Sequence, residues 1–310
     1  MTNHVIQPQV DCFTAQEFLD ALSPLGQYFK DENLSESWLF RGQGADWPLV
    51  PSLFRTTPEA IAKLRSLTKK DITDYDVLLD VERDLLLRFF EIADKRGLSL
   101  PDDSQILRLY LKKLKFKTLD EDALVGSDER VWDKSLSLMA LAQHFGLPTL
   151  LVDWTRQAYI AAFFAAESVA SEKKESTVSE YLVVWAFNFP YEGNRFPYWR
   201  SPIRLVTAPS ATNPNLREQL GVFTLMEGSY PRDEDGKYVP LDKYLEEYSE
   251  DQYIERDKVV RLFKLRKFTL PVSEASKLLY LLAKLDFTPS AIYPGYHSIV
   301  SDIEKQNTWE

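Results

Sequence analysis

The sequence predicts a mixed α+β fold, in which a central, mainly antiparallel sheet is flanked by helices. Two observations carry this prediction. Short apolar runs, such as residues 149–152 and 181–189, are typical of buried strands. Longer segments with apolar residues at helical spacing lie between them, most of all in residues 58–135, which we interpret as a helical insertion. No linker divides the chain, so we expect one domain over residues 1–310.

The composition limits the class of protein. The chain has 310 residues, of which 45% are hydrophobic, and this is enough for a large core. Its net charge of −10 disfavours a nucleic-acid coat and an anionic membrane surface as partners. Cys12 is the only cysteine, so no internal disulfide or cysteine metal cluster forms. The first residues lack signal-peptide features, and no run reaches the about 18 apolar residues of a membrane helix, so we expect a cytoplasmic protein.

The first elements are a helix and a strand. Residues 13–30 are predicted to be helical, because Thr14 and Glu17 have the spacing of a capping box. Residues 38–40 are predicted to be a short strand, with Arg41 where the strand leaves the sheet. The glycines at positions 42 and 44 favour a turn after it.

The predicted insertion contains amphipathic helices. Val81, Leu85, Phe89 and Ile92 share one helical face, and a second helix repeats this pattern from Ile106 to Leu114. This second helix also carries a basic run between residues 112 and 117. We interpret the run as a solvated face that acidic residues 120–122 balance, while contact with phosphates is the alternative.

The central segment, residues 136–166, holds most of the candidate chemistry. An apolar helix ends at Gly146 and Pro148, so His144 lies in its last turn, where the helix dipole favours an imidazolium. A strand is predicted over residues 149–152. Asp153 and Thr155 are both suited to cap the next helix, whose alanines allow close packing against the sheet.

The remaining strands are predicted at residues 181–189, at 203–206, from 222 and at 258–268, where Pro271 ends the last of these. A helix with Ala275, Leu278, Leu279, Leu282 and Leu285 in register follows. Residues 291–294 are predicted to be a final short strand.

Several motifs that would identify a reaction are missing, including the phosphate-binding loop, the zinc-protease helix and the nucleophile elbow. Three histidines make a multi-histidine metal site improbable, and no metal is expected. Arginine binds phosphate, histidine can carry a proton near neutral pH, and an aspartate can orient a histidine or a ribose hydroxyl. Tryptophans can stack on a base. The candidate site residues for a nucleotide-sized ligand are Arg41, Gln43, Gln143, His144, Thr149, Asp153, Trp154, Thr155, Arg217, Gln219 and Glu227.

A resemblance to a known family rests on several separate blocks. They are Phe-Arg-Gly-Gln at residues 40–43, Pro-Ser-Leu-Phe-Arg at 51–55, a helix with Glu82, and the long block at 142–155 with its alanine-rich continuation. Further blocks are at 213–224 and in the segment that runs from the strand before Pro271 to Tyr293 and Pro294. This pattern, over about residues 38–303, resembles the FRG domain family, named for its Phe-Arg-Gly.

The sequence departs from the family pattern at two places. Leu150 stands where the family usually has an arginine, and Pro-Gly-Tyr at 294–296 replaces a usual Pro-Asp-Leu. The resemblance implies a bacterial or phage-related setting, often anti-phage defence, more firmly than it implies a reaction.

Three functions follow from the resemblance and the residues. In the first, the strand ending in Arg41 looks like the first motif of arginine-type ADP-ribosyltransferases. This implies that Arg41 binds the diphosphate of NAD, that Thr149 or Thr155 supports the site, and that Glu227 holds ribose hydroxyls. In the second, the protein is a non-enzymatic sensor or interaction module for a nucleotide, nucleic acid or phage protein, and the polar cluster holds the domain together. In the third, Asp153 is part of a metal-dependent nuclease.

Overall fold

The computed structural model describes residues 9–30, 37–70, 72, 74–115, 135–171, 179–189, 203–207, 218–226, 232–234, 236–248, 253–255, 258–260 and 264–306. The strands are β1 Gln9–Asp11, β2 Ser37–Gln43, β3 Val152–Thr155, β4 Tyr181–Phe189, β5 Ile203–Val206, β6 Gly221–Met226, β7 Tyr253–Glu255, β8 Lys258–Val260 and β9 Lys264–Pro271. The helices are α1 Ala15–Leu22, α2 Pro58–Thr68, α3 Tyr75–Lys95, α4 Gln105–Lys115, α5 Leu136–His144, α6 Ala158–Ser171, α7 Leu241–Tyr248, α8 Ala275–Lys284, α9 Pro289–Ile292 and α10 Tyr296–Gln306. Single 3₁₀ turns span Ser52–Phe54 and Val272–Glu274.

The centre of the fold is a seven-stranded sheet in the order β1-β9-β4-β2-β3-β6-β5. Only the β1–β9 pair is parallel, and the other five pairs are antiparallel. β7 and β8 form a separate two-stranded sheet. Helices pack against the large sheet, so the predicted α+β class with a mainly antiparallel sheet is confirmed.

Alternating side chains of the central strands fill two different cores. Phe40, Val184 and Phe268 pack with α1, α6 and α8 on one face. On the opposite face of the sheet, α7 covers Leu39 and Val183. A third cluster joins α2, α3 and α5 to the β5–β6 edge of the sheet. The period-two pattern of a strand therefore supplies both faces.

Close packing between β2 and α6 depends on small residues. A Cβ atom added to Gly42 would lie 1.8 Å from the backbone oxygen of Ala161. Ala161, Ala162 and Ala165 are fully buried in the same contact. This confirms that the alanine-rich helix approaches the sheet closely, and it explains why a glycine follows Arg41.

Two predictions in the central segment were wrong. The strand predicted at 149–152 is β3 at Val152–Thr155, because the backbone N–H groups of residues 149 and 150 bond to side chains from other elements instead of a neighbouring strand. Asp153 and Thr155 consequently lie within β3 and do not cap the next helix, which begins at Ala158. Thr155 Oγ1 accepts a hydrogen bond from the backbone N–H of Gln157 instead.

Several further predictions also differ from the structure. Residues 291–294 are not a strand, because Pro289 at the first helical position favours a helical turn, α9. The first helix spans only Ala15–Leu22, although its predicted capping box is present. The strand predicted at 258–268 corresponds to β8 and β9, and residues 261–263 lie outside the described residues. Ile92 and Ile106, which we expected to be packed, are exposed.

Among the helices that the structure describes, not one is both long enough and apolar enough to cross a membrane.

Candidate functional site

A cavity of about 690 Å³ lies where β2 and β3 diverge. These strands pair through Phe40 and Thr155, and beyond this pair they separate. The turn before α2, α2 itself, the end of α5, and parts of α6 and β6 complete the walls. Seven of the candidate residues line this cavity: Arg41, Gln143, His144, Asp153, Trp154, Thr155 and Gln219.

Arg41 and Asp153 form an ion pair at the base of the gap between the strands. Arg41 Nη1 is 2.6 Å from Asp153 Oδ1, and it also donates to the backbone oxygen of Asp153 at 3.0 Å. The Arg41 side chain is only 10% exposed, whereas the Asp153 side chain is 55% exposed and faces water in the cavity. The Nη1 group of Arg41 is therefore already bonded to the carboxylate and the backbone of Asp153.

The surroundings keep Asp153 ionised. Partial desolvation acts to raise the pKa of this carboxyl, but the charges of Arg41 and Arg55 and the hydrogen bond from Arg41 outweigh it. The pKa lies below its ordinary value of 3.8. Asp153 thus presents a carboxylate to any ligand in the cavity, and this oxygen can accept hydrogen bonds but cannot donate one.

A chain of side-chain hydrogen bonds continues from Asp153. Gln143 Nε2 donates to Asp153 Oδ1 at 3.4 Å, and Gln143 Oε1 accepts a short hydrogen bond from the Thr149 hydroxyl. Thr149 Oγ1 in turn accepts from the backbone N–H of Leu151 at 3.2 Å. Thr149 is fully buried, so its position supports Gln143 and is not itself a wall of the cavity.

Two further segments fix the backbone around Thr149. The Thr149 N–H donates to Ser52 Oγ at 2.9 Å, and its oxygen accepts from the Leu53 N–H at 3.1 Å. The next N–H, of Leu150, donates to Glu82 Oε1 at 2.6 Å. Blocks 51–55, 142–155 and the helix with Glu82, which the sequence separates widely, therefore meet at one corner.

Glu82 is fully buried inside this corner. Desolvation raises the pKa of its carboxyl from 4.5 to about 8, against the opposing effect of the Leu150 hydrogen bond. The side chain is neutral at pH 7. Within the described part of the chain, its Oε2 atom has no hydrogen-bond partner.

His144 lies at the end of α5 and lines the cavity. We expected the helix dipole to favour its imidazolium form. Instead, partial burial lowers the pKa of His144 below its ordinary value of 6.5. The ring is therefore predominantly neutral at pH 7, the form that accepts a proton.

Two cations that were not among the candidates also line the cavity, Arg55 and Lys63. Protein atoms around Arg55 partly desolvate its guanidinium, and together with the nearby charge of Arg41 they lower its pKa, while Asp153 acts in the opposite direction. An arginine nevertheless stays charged. Lys63 projects from α2 toward Gly146, where an added Cβ atom would lie 2.7 Å from its Nζ.

Three other candidate residues make hydrogen bonds that stabilise the fold. Trp154 is 4% exposed, and its indole N–H donates to Thr224 Oγ1 at 2.9 Å. The Thr155 hydroxyl donates to the backbone oxygen of Gln219 at 2.7 Å and so holds that residue at the cavity. Gln43 is buried away from the cavity, where its Oε1 accepts from the Trp185 indole at 2.9 Å. Arg217 and Glu227 lie outside the described residues.

An aromatic wall stands on the side of α6. Phe164 and Tyr293 line the cavity, with ring centroids 6.0 Å apart at an interplanar angle of 62°. The Tyr293 hydroxyl donates to Glu167 Oε2 at 2.7 Å. Desolvation and the charge of Glu167 raise the pKa of Tyr293, so the hydroxyl remains protonated.

Sequence reasoning missed Arg55, Lys63, Glu82 and Tyr293 as site residues for different reasons. Arg55, Glu82 and Tyr293 carried a usable signal, because each belongs to a family block. Lys63 carried none, because its position depends on how α2 folds back. In the described residues, no group of three or more His, Cys, Asp or Glu side chains could hold a metal ion.

Comparison with known proteins gives one match. Residues 36–174 match the model of the FRG domain. No curated protein and no solved structure matches the chain. The matched segment contains Arg41, Arg55, Glu82 and Asp153, but it ends before the blocks noted at 213–224 and around Pro271. Residues 36–174 are therefore similar to the FRG domain, and they supply most of the walls of the cavity.

Proposed function

We propose that this protein is a nucleotide-processing effector whose active site is the cavity between β2 and β3. The observation that carries the proposal is the charge of the walls. Among the described residues of the walls, three cations, Arg41, Arg55 and Lys63, face two carboxylates, Asp153 and Glu59, although the whole chain has a net charge of −10. A locally positive cavity in an acidic protein favours an anionic ligand. Its volume of about 690 Å³ is suited to a small molecule.

The reaction we propose is ADP-ribosyl transfer, with NAD as the candidate cofactor. In this reaction the bond between C1′ of the ribose and the nicotinamide nitrogen breaks, and nicotinamide leaves with the electron pair. A nucleophile then bonds to C1′ and loses its proton. Asp153 is ionised and can accept hydrogen bonds from ribose hydroxyls, while neutral His144 can take the proton. That Glu227 stabilises positive charge on the ribose remains a prediction.

The setting we propose is bacterial anti-phage defence, with the protein acting in the cytoplasm. This part rests on the FRG domain and on the acidic composition, and it does not depend on the geometry of the cavity. The expected partner is a nucleotide-like small molecule.

The test measures NAD cleavage and binding. Purified protein is incubated with NAD, nicotinamide release is followed by chromatography, and melting temperature is measured with NAD and ADP-ribose. We expect release, and a higher melting temperature with either ligand. Gln219→Ala removes a side chain of the wall and should reduce both signals, whereas Gln16→Ala, the same change on exposed α1, should not. Intact NAD together with unchanged melting at millimolar ligand would refute the proposal.

A second candidate function is a non-enzymatic sensor, and one observation favours it. Arg41, Gln143, Thr149 and Asp153 already satisfy one another by hydrogen bonds, as a structural network would. In this case Arg41→Ala, His144→Ala and Asp153→Ala should unfold the protein. Folded but inactive variants, judged by circular dichroism, would favour the enzyme. The nuclease alternative has no comparable observation in its favour.

A further inference from the structure

We propose that Arg55 and Lys63 form the phosphate subsite of the cavity, and that the ligand is a nucleoside carrying a di- or polyphosphate. This inference rests on the proposed function and assigns the parts of the ligand to particular residues. It also reassigns the anion-binding role from Arg41, which the family resemblance suggested, to two cations that the sequence did not single out.

The first step is the state of Arg41. Its Nη1 atom contacts both a side-chain and a backbone oxygen of Asp153, at 2.6 and 3.0 Å. This guanidinium is only 10% exposed, and the negative charge of the carboxylate that its Nη1 already contacts offsets its attraction for a phosphate. Arg41 is therefore a positioning residue for Asp153.

The second step is the state of Arg55 and Lys63. The described part of the chain offers Arg55 only one hydrogen-bond acceptor, the backbone oxygen of Val50, which Nε reaches at 3.3 Å. Lys63 makes no ion pair with any described carboxylate, not even with Glu59, which stands four positions earlier on the same helix. Both cations are thus available at the cavity wall, where a planar fork and a point charge together suit a phosphate group.

The third step is the rigidity of this subsite. Arg55 follows directly on the turn Ser52–Phe54, which is bonded to Thr149 through both Ser52 and Leu53. Lys63 lies against Gly146 at the end of α5, where the helix dipole favours a cation. Arg55 is held by a fixed turn, and the absence of a side chain at position 146 makes room for the ammonium group.

The fourth step concerns the other end of the ligand. Phe164 and Tyr293 belong to the core cluster on the α6 side, whereas Leu147, beside Gly146, belongs to the cluster under α2 and α5. The aromatic wall and the cations therefore come from different parts of the fold that face one cavity. Aromatic faces bind the planar ring of a base, and the cations bind its phosphates.

The experiment compares ligands that differ only in phosphate. Calorimetry measures the affinities of adenosine, AMP and ADP and of inorganic pyrophosphate for the wild-type chain and for Lys63→Gln, Arg55→Gln and Arg65→Gln. Arg65 lies on the same helix but outside the cavity, so its variant controls for the loss of one positive charge. Circular dichroism checks folding, and Lys63 is an exposed residue whose change leaves the core intact.

We expect ADP to bind wild type more tightly than AMP, and AMP more tightly than adenosine. Lys63→Gln and Arg55→Gln should each weaken ADP binding about tenfold, or about 1.4 kcal/mol, because each removes a charged hydrogen bond to phosphate. Arg65→Gln should stay within about twofold of wild type, and adenosine should bind all four proteins alike. If ADP binds but neither cavity variant weakens it, the subsite assignment fails while the nucleotide cavity stands. If pyrophosphate binds as tightly as ADP, the adenosine group adds no affinity, and the assignment of the aromatic wall to the base is wrong. If wild type binds none of the ligands, the proposed function itself fails.

Discussion

The Glu82 carboxyl accepts a hydrogen bond at 2.6 Å from the backbone N–H of Leu150, 68 positions later in the chain. This contact joins α3 to the segment that leads into β3, and it does so without access to water, because Glu82 is fully buried. The polar corner of the cavity therefore depends on a carboxyl group that belongs to the core.

Glu82 should make the stability of the protein depend on pH in an unusual direction. Its pKa is about 8 in the fold and about 4.5 when unfolded. Between these values the folded state binds one more proton than the unfolded state, so stability falls as pH rises, by up to about 1.4 kcal/mol per pH unit from this group. Glu82→Gln keeps the acceptor for Leu150 and should remove this slope. Urea unfolding at pH 5, 6.5 and 8 measures it, and equal slopes in both proteins would contradict the assignment.

Gly42→Ala should destabilise the fold strongly. The added Cβ atom meets the backbone oxygen of Ala161 at 1.8 Å, and neither strand nor helix can yield without a shift of backbone. We expect a loss of about 3 kcal/mol or more, at the upper end of overpacking effects. Gly44→Ala is the matched control, because the nearest atoms to its Cβ belong to side chains, the hydroxyl of Ser168 at 2.3 Å and Cγ2 of Val169 at 3.3 Å, and these can move without a shift of backbone. Thermal unfolding should rank the two variants in this order, and a milder Gly42→Ala would speak against the close packing.

The Arg41–Asp153 pair should show a measurable coupling. Because the carboxylate is more than half exposed, we expect only about 1 kcal/mol from a double-mutant cycle with Arg41→Met and Asp153→Asn. The pKa of Asp153 is lowered in the fold, so its contribution is complete above its ordinary value of 3.8 and is lost as pH falls below it. Unfolding at pH 3 and pH 7 checks both parts, and a coupling that is no smaller at pH 3 than at pH 7 would be inconsistent with an ion pair.

Thr224→Val should cost about 1–3 kcal/mol, because it leaves the buried indole N–H of Trp154 without its partner at 2.9 Å. Thr224→Ser retains the hydroxyl and should cost much less. Chemical unfolding followed by tryptophan fluorescence measures both variants. If Thr224→Ser, which removes only the methyl group, cost more than Thr224→Val, packing of that methyl group and not the hydrogen bond would be the larger contribution.

Local signals predicted much of the fold. The capping box of Thr14 and Glu17 is present, and the alanine face of α6 packs against β2 as expected. The start of β3 could not be found this way. The backbone N–H groups of Thr149 and Leu150 bond to Ser52 and Glu82, two partners that are remote in sequence, so an apolar run that looks like a strand is held as an irregular segment.

The candidate site, too, could be predicted from the sequence only in part. Arg41, Gln143 and Asp153 stood out as polar residues beside short strands, and the fold brings them together. The partnership of Arg55 and Lys63 was not readable, because it depends on the direction of α2 relative to the end of α5. Nothing in the residues between positions 55 and 63 announces that Lys63 will lie against Gly146.

The contrast between an acidic chain and a basic cavity also affects which anions reach the site. At physiological salt the field of an exposed charge decays over about 8 Å. A compact ligand is therefore repelled by the net charge of −10 only while it approaches the protein, and no longer once it is inside the cavity. A long polyanion keeps most of its phosphates outside, against the acidic exterior. The cavity thus acts as a size filter for negative charge, and its ligands should enter faster, not more slowly, as ionic strength rises.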